Sequence, residues 1–170
     1  MRKLADCIDC FNGFVGRAVA WLALAIVVVQ FALVVARYAL SLGSIKLTEA
    51  VIYGHATLIM LAAAWTLAIG GHVRVDVFYA HASAQTRALI DLIGSLLLLL
   101  PFSLVLLWLS APYAERSWAI LERSQESSGL PLVFVLKTLI PIFAAMMALQ
   151  GVAQAARAAA VLREGGDAAE

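Results

Sequence analysis

AVAWLALAIVVVQFALVVA, residues 18–36, decides the class of this chain. Between Arg17 and Arg37 it holds 19 residues without an ionisable group, and wound as an α-helix it extends about 28 Å, close to the hydrocarbon thickness of a bilayer. Its only strongly polar side chain is Gln30, so it lacks the polar face of a surface helix in a soluble domain.

Three further runs repeat the pattern. Glu49 and Arg74 enclose 24 residues interrupted by His55 and His72, Asp91 and Glu115 enclose 23, and Lys137 and Arg157 enclose 19. With the turn signals at Ser128, Gly129 and Pro131 opening the last element, the spans are expected at about 18–36, 50–70, 92–114 and 131–156. No water is present in the bilayer core to satisfy backbone groups, so each span is expected to be helical. Outer-membrane strands would alternate in polarity, and these runs do not. The composition agrees. Of 170 residues 64% are hydrophobic and 14% charged, with mean hydropathy +0.94, which excludes a soluble domain and a disordered chain. A net charge of +1 offers nothing to a nucleic acid backbone.

The first span is too long for a signal h-region and ends at Arg37 and Tyr38 without a small-x-small site, so it reads as uncleaved. Residues 1–17 set Leu4, Ile8, Phe11, Phe14 and Val15 against Arg2, Lys3, Asp6 and Asp9, the pattern of a helix lying in the headgroup layer. The expected fold is an all-α integral membrane protein, one four-helix domain over 1–163 with an N-terminal interfacial amphipathic helix, followed by a polar tail over 164–170. Arg2, Lys3, Arg17, Arg74, Arg87, Arg157 and Arg163 fall on the side of the termini and Arg37, Lys46, Arg116, Arg123 and Lys137 on the other. Seven against five places both termini in the cytoplasm.

Small residues recur at heptad spacing in two spans. Gly54, Ala64 and Ala68 lie on such a stripe in the second, and Ala148 and Gly151 in the fourth. Such stripes let helix backbones approach closely in lipid, here against a subunit partner or within the chain. Pro101 and Pro141 are expected to bend their spans. Ser83 is placed to cap the helix that leads into the third.

Chemistry is sparse. Cys7 and Cys10 form a CxxC without a second pair or a spaced histidine, so no metal site is expected. His55 has no histidine on a facing span to complete a bis-His haem. No nucleophile has a base beside it and no carboxylate pair lies inside a span, so neither a catalytic site nor a cofactor is expected. Arg37, Glu49, Glu115 and Lys137 lie at span ends, where side chains can reach the interface. For Glu49, after Thr48, helix capping and dipole compensation suffice as an explanation.

The most specific string is GHVRVD, Gly71 to Asp76, after Gly70. Adjacent glycines release the second span, and His72, Arg74 and Asp76 alternate with valines on one side of an extended exit segment. With Glu49 opening that span, Arg87 and Asp91 leading into the third, and Leu130 and Pro131 before the fourth, the chain resembles the small membrane subunit of tripartite ATP-independent periplasmic (TRAP) transporters, the DctQ-like family. The resemblance covers nearly the whole chain. It implies a scaffold subunit in a bacterial inner membrane, assembled with a large permease subunit and a periplasmic solute-binding protein, in sodium-driven symport of an organic acid. It marks Gly71, His72, Arg74 and Asp76 as a structural motif at the cytoplasmic end of the second span; Arg37, Glu49 and Arg116 belong to a mixed-charge outer surface that is either a contact for the binding protein or a plain solvated rim. Two rival classes are a haem- or quinone-linked membrane anchor of a respiratory enzyme and a self-sufficient small membrane transporter.

Overall fold

The computed structural model describes residues 2–73, 79 and 81–167. It is all-helical: α1 is Arg2–Leu40, α2 Ile45–Ala68, α3 Ala84–Ile93, α4 Leu100–Ala119 and α5 Val133–Asp167. A π-helical turn, Gly94–Leu99, joins α3 to α4, so together they form one span and the described residues contain four helices long and apolar enough to cross a membrane.

The π turn has an identifiable cause. Pro101 has no N–H, and in a regular α-helix its ring would meet the carbonyl of the residue four positions back. Widening the preceding turn relieves that contact, and Leu100 N–H bonds to the carbonyl of Ser95, five residues back. Pro141 lies inside α5, and so does Pro112 inside α4.

α5 is the centre of the arrangement. It touches α1, α2, α3 and α4, while among the described residues α4 meets no other helix apart from its own π turn and α1 otherwise meets only α2. The chain is therefore a layer, with α1 and α2 on one side of α5 and the α3–α4 span on the other, rather than a closed bundle. Its interior is built of small and polar residues: Ala64, Ala144 and Ala153 are essentially inaccessible, as are Asn12 and Gln150. Large apolar side chains point outward, Phe31, Leu98 and Trp108 among them. Lipid offers large apolar groups no penalty, so close backbone approach decides which residues turn inward.

Two boundaries differ from expectation. The N-terminal segment is not a separate element, because residues 2–40 form one unbroken helix of about 58 Å. Ala5, Ile8, Asn12 and Gly16 are buried on one stripe of it, while Leu4, Phe11 and Phe14 face outward. The small, polar stripe at spacings of three and four fits the neighbouring helices, and Asp9 turns toward α5 with it. At the other end α5 continues to Asp167, past Glu164, where the polar tail was expected.

The termini of α2 and α3 follow ordinary capping rules. Ser44 Oγ accepts from Leu47 N–H at 3.4 Å, and Ser83 Oγ from Thr86 N–H at 3.2 Å. α2 ends in a Schellman arrangement, with Gly71 N–H on Thr66 O at 2.8 Å and Gly70 N–H on Leu67 O at 3.1 Å. Gly70 sits at φ 67°, the left-handed conformation this motif requires and glycine accepts without strain.

Candidate functional site

Polar side chains gather at the two ends of the layer. At the end holding the α1–α2 and α4–α5 connections, Glu49 reaches across from the first turns of α2 to the α4–α5 loop. Its carboxylate accepts from Ser124 Oγ and, at 2.5 Å, from Leu130 N–H. Ser44, not Glu49, caps α2, so the capping explanation gives way to a tether between α2 and a loop 75 to 81 positions away. Gly129 makes room for it: a Cβ there would lie 2.8 Å from Glu49 Oε1 and closer still to Ser124.

The same loop is fastened to α4 and α5. Glu122 Oε2 accepts from Lys137 Nζ at 2.6 Å and from Ser117 Oγ at 2.7 Å. Lys137 also lies 4.2 Å from the centre of the Tyr113 ring. Trp118 packs edge-on against Phe134, 4.5 Å between centroids, and its indole N–H donates to Thr138 Oγ1 at 2.8 Å. The Lys137 hydrogen bond, then the Ser117 one, hold the Glu122 carboxyl below the usual glutamate value of 4.5. A depressed carboxylate contributes stability that is present above its unfolded pKa and lost as pH falls through its folded one. The thermal midpoint difference between the wild type and Glu122→Gln should thus be constant from about pH 6 to 8 and shrink below about pH 4.5. A difference that grows on acidification would contradict the assignment.

At the opposite end α1 and α5 are joined by a polar chain. Asp9 pairs with Arg157. Gln150 Nε2 donates to Asp9 Oδ1 at 2.9 Å, and Asn12 Nδ2 donates to Gln150 Oε1 at 2.7 Å. On the neighbouring α3, Tyr79 OH donates to Asp91 Oδ2 at 2.8 Å, and Arg87 Nε donates to the carbonyl of Ala82 at 2.9 Å. The Asp9–Arg157 pair was missed in the sequence because the N-terminal segment was read as lying apart from α5.

The residues expected to carry function fall into three groups. Gly54 faces Ile26 of α1 and Gly151 faces Leu99 and Leu100, with a Cβ at either coming within 3.3 Å of those side chains. These two glycines serve contacts inside the chain. Ala64 is buried, Ala148 is half-buried, and Ala68 lines a cavity between α2, α3 and α5. Arg37 and Arg116 are exposed at the same end as Glu49, as are Lys46, Glu115, Arg123 and Glu126, so that Glu49 and Glu122 are withdrawn from the mixed-charge surface while the others remain on it. Gly71 and His72 are exposed after α2, whereas Arg74 and Asp76 lie outside the described residues. Cys7 and Cys10 are exposed on α1.

Sequence reading also missed a stripe of serines. Ser95, Ser103, Ser110 and Ser117 are all buried. Among the described residues α4 packs on α5 apart from the adjoining π turn, so the buried α4 serines lie on its α5-facing side. Their spacing of seven to eight was a readable signal, hidden behind the leucine-rich run of the same span.

Comparison with known proteins agrees with this architecture. Residues 26–161 match the family of tripartite ATP-independent periplasmic transporters, DctQ component. No curated protein and no solved structure matches the chain. The family is one of transporter components, not of enzymes, and the match takes in all four spans, from within α1 to the last turns of α5. This chain is a multi-pass membrane protein that belongs to the DctQ component family of TRAP transporters.

Proposed function

We propose that this chain is the scaffold subunit of a sodium-driven TRAP system of a bacterial inner membrane, holding a large permease subunit in place while a periplasmic binding protein delivers an organic acid. The observation that carries the reading is the open layer of helices. In the most apolar stretch of each span no more than 17% of the residues are buried within the chain. Such a surface is available to lipid and to a partner helix alike. Substrate and ion pathways are normally marked by ionisable groups deep in the membrane and by broken helices, whereas the polar contacts described above gather at the helix ends. A frame for another subunit suits that distribution better than a self-sufficient transporter does.

Both termini lie in the cytoplasm in this reading, which puts Arg37, Lys46, Arg116, Arg123, Glu115 and Glu126 in the periplasm. With Glu49 and Glu122 tied internally, that surface is held by a braced loop and carries both signs of charge, suited to weak, salt-sensitive docking of the binding protein. Gly71, His72, Arg74 and Asp76 anchor the cytoplasmic exit of α2. The test is co-purification. A tagged version of this chain should retain the large subunit in mild detergent, and Arg37→Glu with Arg116→Glu should leave that retention intact while weakening the binding protein's effect on uptake severalfold at low salt. Loss of the large subunit in the double variant would show that the charged rim serves assembly instead, and failure of the wild-type chain to retain it would contradict the scaffold reading.

A further inference from the structure

α1 is unbroken from Arg2 to Leu40, and on it Asp9 meets Arg157, the residue that closes the fourth uncharged run. That pair marks the level at which hydrocarbon gives way to headgroups. Arg17 follows Asp9 by eight residues, about 12 Å further along the helix, and a tilt of about 40°, the upper end of the usual range, still leaves about 9 Å of depth. On the α2 side its neighbour Gly16 abuts Trp65, inside the end of that helix at Ala68.

The Arg17 side chain already turns back toward the headgroups. Its Nη1 lies 3.3 Å from where a Cβ on Gly13 would stand, one turn nearer the cytoplasmic end, so the guanidinium remains about 6 Å inside the level of Asp9. Arg17 is exposed and makes no hydrogen bond or ion pair among the described residues. A charge at that depth is costly without a partner. A guanidinium donates and cannot accept, so its partner must bring an acceptor, and a carboxylate is the strongest one a protein offers.

The surface around Arg17 is shaped for a helix. Phe14, Ala18, Trp21, Ala25 and Val28 are all exposed at alternating spacings of four and three, the seam along which two helices pack at a shallow left-handed crossing. Arg17 stands three residues from Phe14 and four from Trp21, on the same side of the helix, and Ala18 and Ala25 permit close approach. A second copy of this chain does not fit the seam, because a two-fold axis along the membrane normal would bring two Arg17 side chains together at one depth. A sodium path does not fit either, since a lone cation repels sodium.

We propose, on the scaffold reading above, that this face of α1 receives a transmembrane helix of the large subunit and that a carboxylate on that helix pairs with Arg17. Arg17→Leu removes the charge and leaves a side chain suited to lipid, so the thermal midpoint of this chain alone in detergent should stay the same or rise. Retention of the large subunit, measured per amount of monodisperse tagged chain, should nevertheless fall at least tenfold, with Arg17→Lys retaining severalfold more than Arg17→Leu. Arg17→Glu should also lose the large subunit, and changing one membrane-embedded acidic residue of that subunit to lysine should restore it. Unchanged retention by Arg17→Leu would place Arg17 against lipid, a lowered thermal midpoint would place its partner inside this chain, self-association of the wild type that Arg17→Leu abolishes would make a second copy the occupant, and failure of every acidic-to-lysine change would remove the carboxylate. Each of these overturns the proposal and leaves the scaffold reading standing, whereas a wild-type chain that retains no large subunit overturns both.

Discussion

Replacing Gly16 by leucine should prevent α1 from seating on α2. A Cβ at Gly16 would lie 2.6 Å from Cβ and Cε3 of Trp65, and because Cβ is fixed to the backbone of α2 the collision cannot be relieved by turning a flexible tip. Two effects oppose each other. Removing a helix-interior glycine favours the helix by about 1 kcal/mol, whereas overpacking a close contact costs about 1–3 kcal/mol and more when a backbone must shift. Displacement of the helix pair should win, lowering the thermal midpoint and the yield of monodisperse protein. Trp65→Ala in the same chain should recover only the part of the loss that the indole causes, because alanine keeps the Cβ that lies 2.6 Å away. Gly43→Leu is the control, since nothing lies within 4 Å of a Cβ there. A Gly16→Leu chain as stable as the wild type would show that α1 does not cross α2 at Trp65.

Breaking the Asp9–Arg157 pair should produce the second large effect, and reversing it should repair the damage. The side chains are 32% and 36% exposed respectively, between the regime in which removing one partner of a buried pair costs about 3–5 kcal/mol and the surface regime of about 0–1 kcal/mol. About 1–2 kcal/mol is the expected loss for Asp9→Ala, enlarged because Gln150 also gives up its bond to Asp9 and the chain to Asn12 loosens. Asp9→Arg should be worse than Asp9→Ala, since two like charges would then meet. Asp9→Arg combined with Arg157→Asp should recover more than half of that loss in a thermal or chemical denaturation series. Additive damage in the double reversal would mean that the two side chains do not meet in the membrane-embedded protein.

The spans were legible from hydrophobic length, because a bilayer imposes nearly the same requirement on every crossing helix. Ser83 and the paired Gly70 and Gly71 were legible for a different reason, in that caps and left-handed exits depend on the residues that form them. Long-range pairings were not. Glu49 carries no mark in the sequence that names Ser124 and Leu130, and Asp9 none that names Arg157, since each depends on how separate helices lie. The N-terminal segment misled for a related reason. Apolar residues on one face of a soluble helix point toward a core, but beside lipid they can point away from the protein, and here Phe11 and Phe14 do so while Asn12 turns inward. The small-residue stripes leave the partner open in the sequence, and the folded chain sets Gly54 against Ile26 and Gly151 against Leu99 and Leu100. Substituting both would disturb this chain before it disturbed a partner, so subunit contacts must be probed at outward positions such as Phe31 and Trp108.

The scaffold account is tested most directly by uptake into proteoliposomes containing the large subunit and supplied with the binding protein, a sodium gradient and an organic acid substrate, with this chain present or omitted. The account predicts that uptake collapses when the chain is omitted and returns when it is restored. It further predicts that Gly16→Leu, which damages the fold of the frame without touching its charged rim, restores much less than the wild type. Sodium-driven uptake undiminished by omission of the chain would contradict the account.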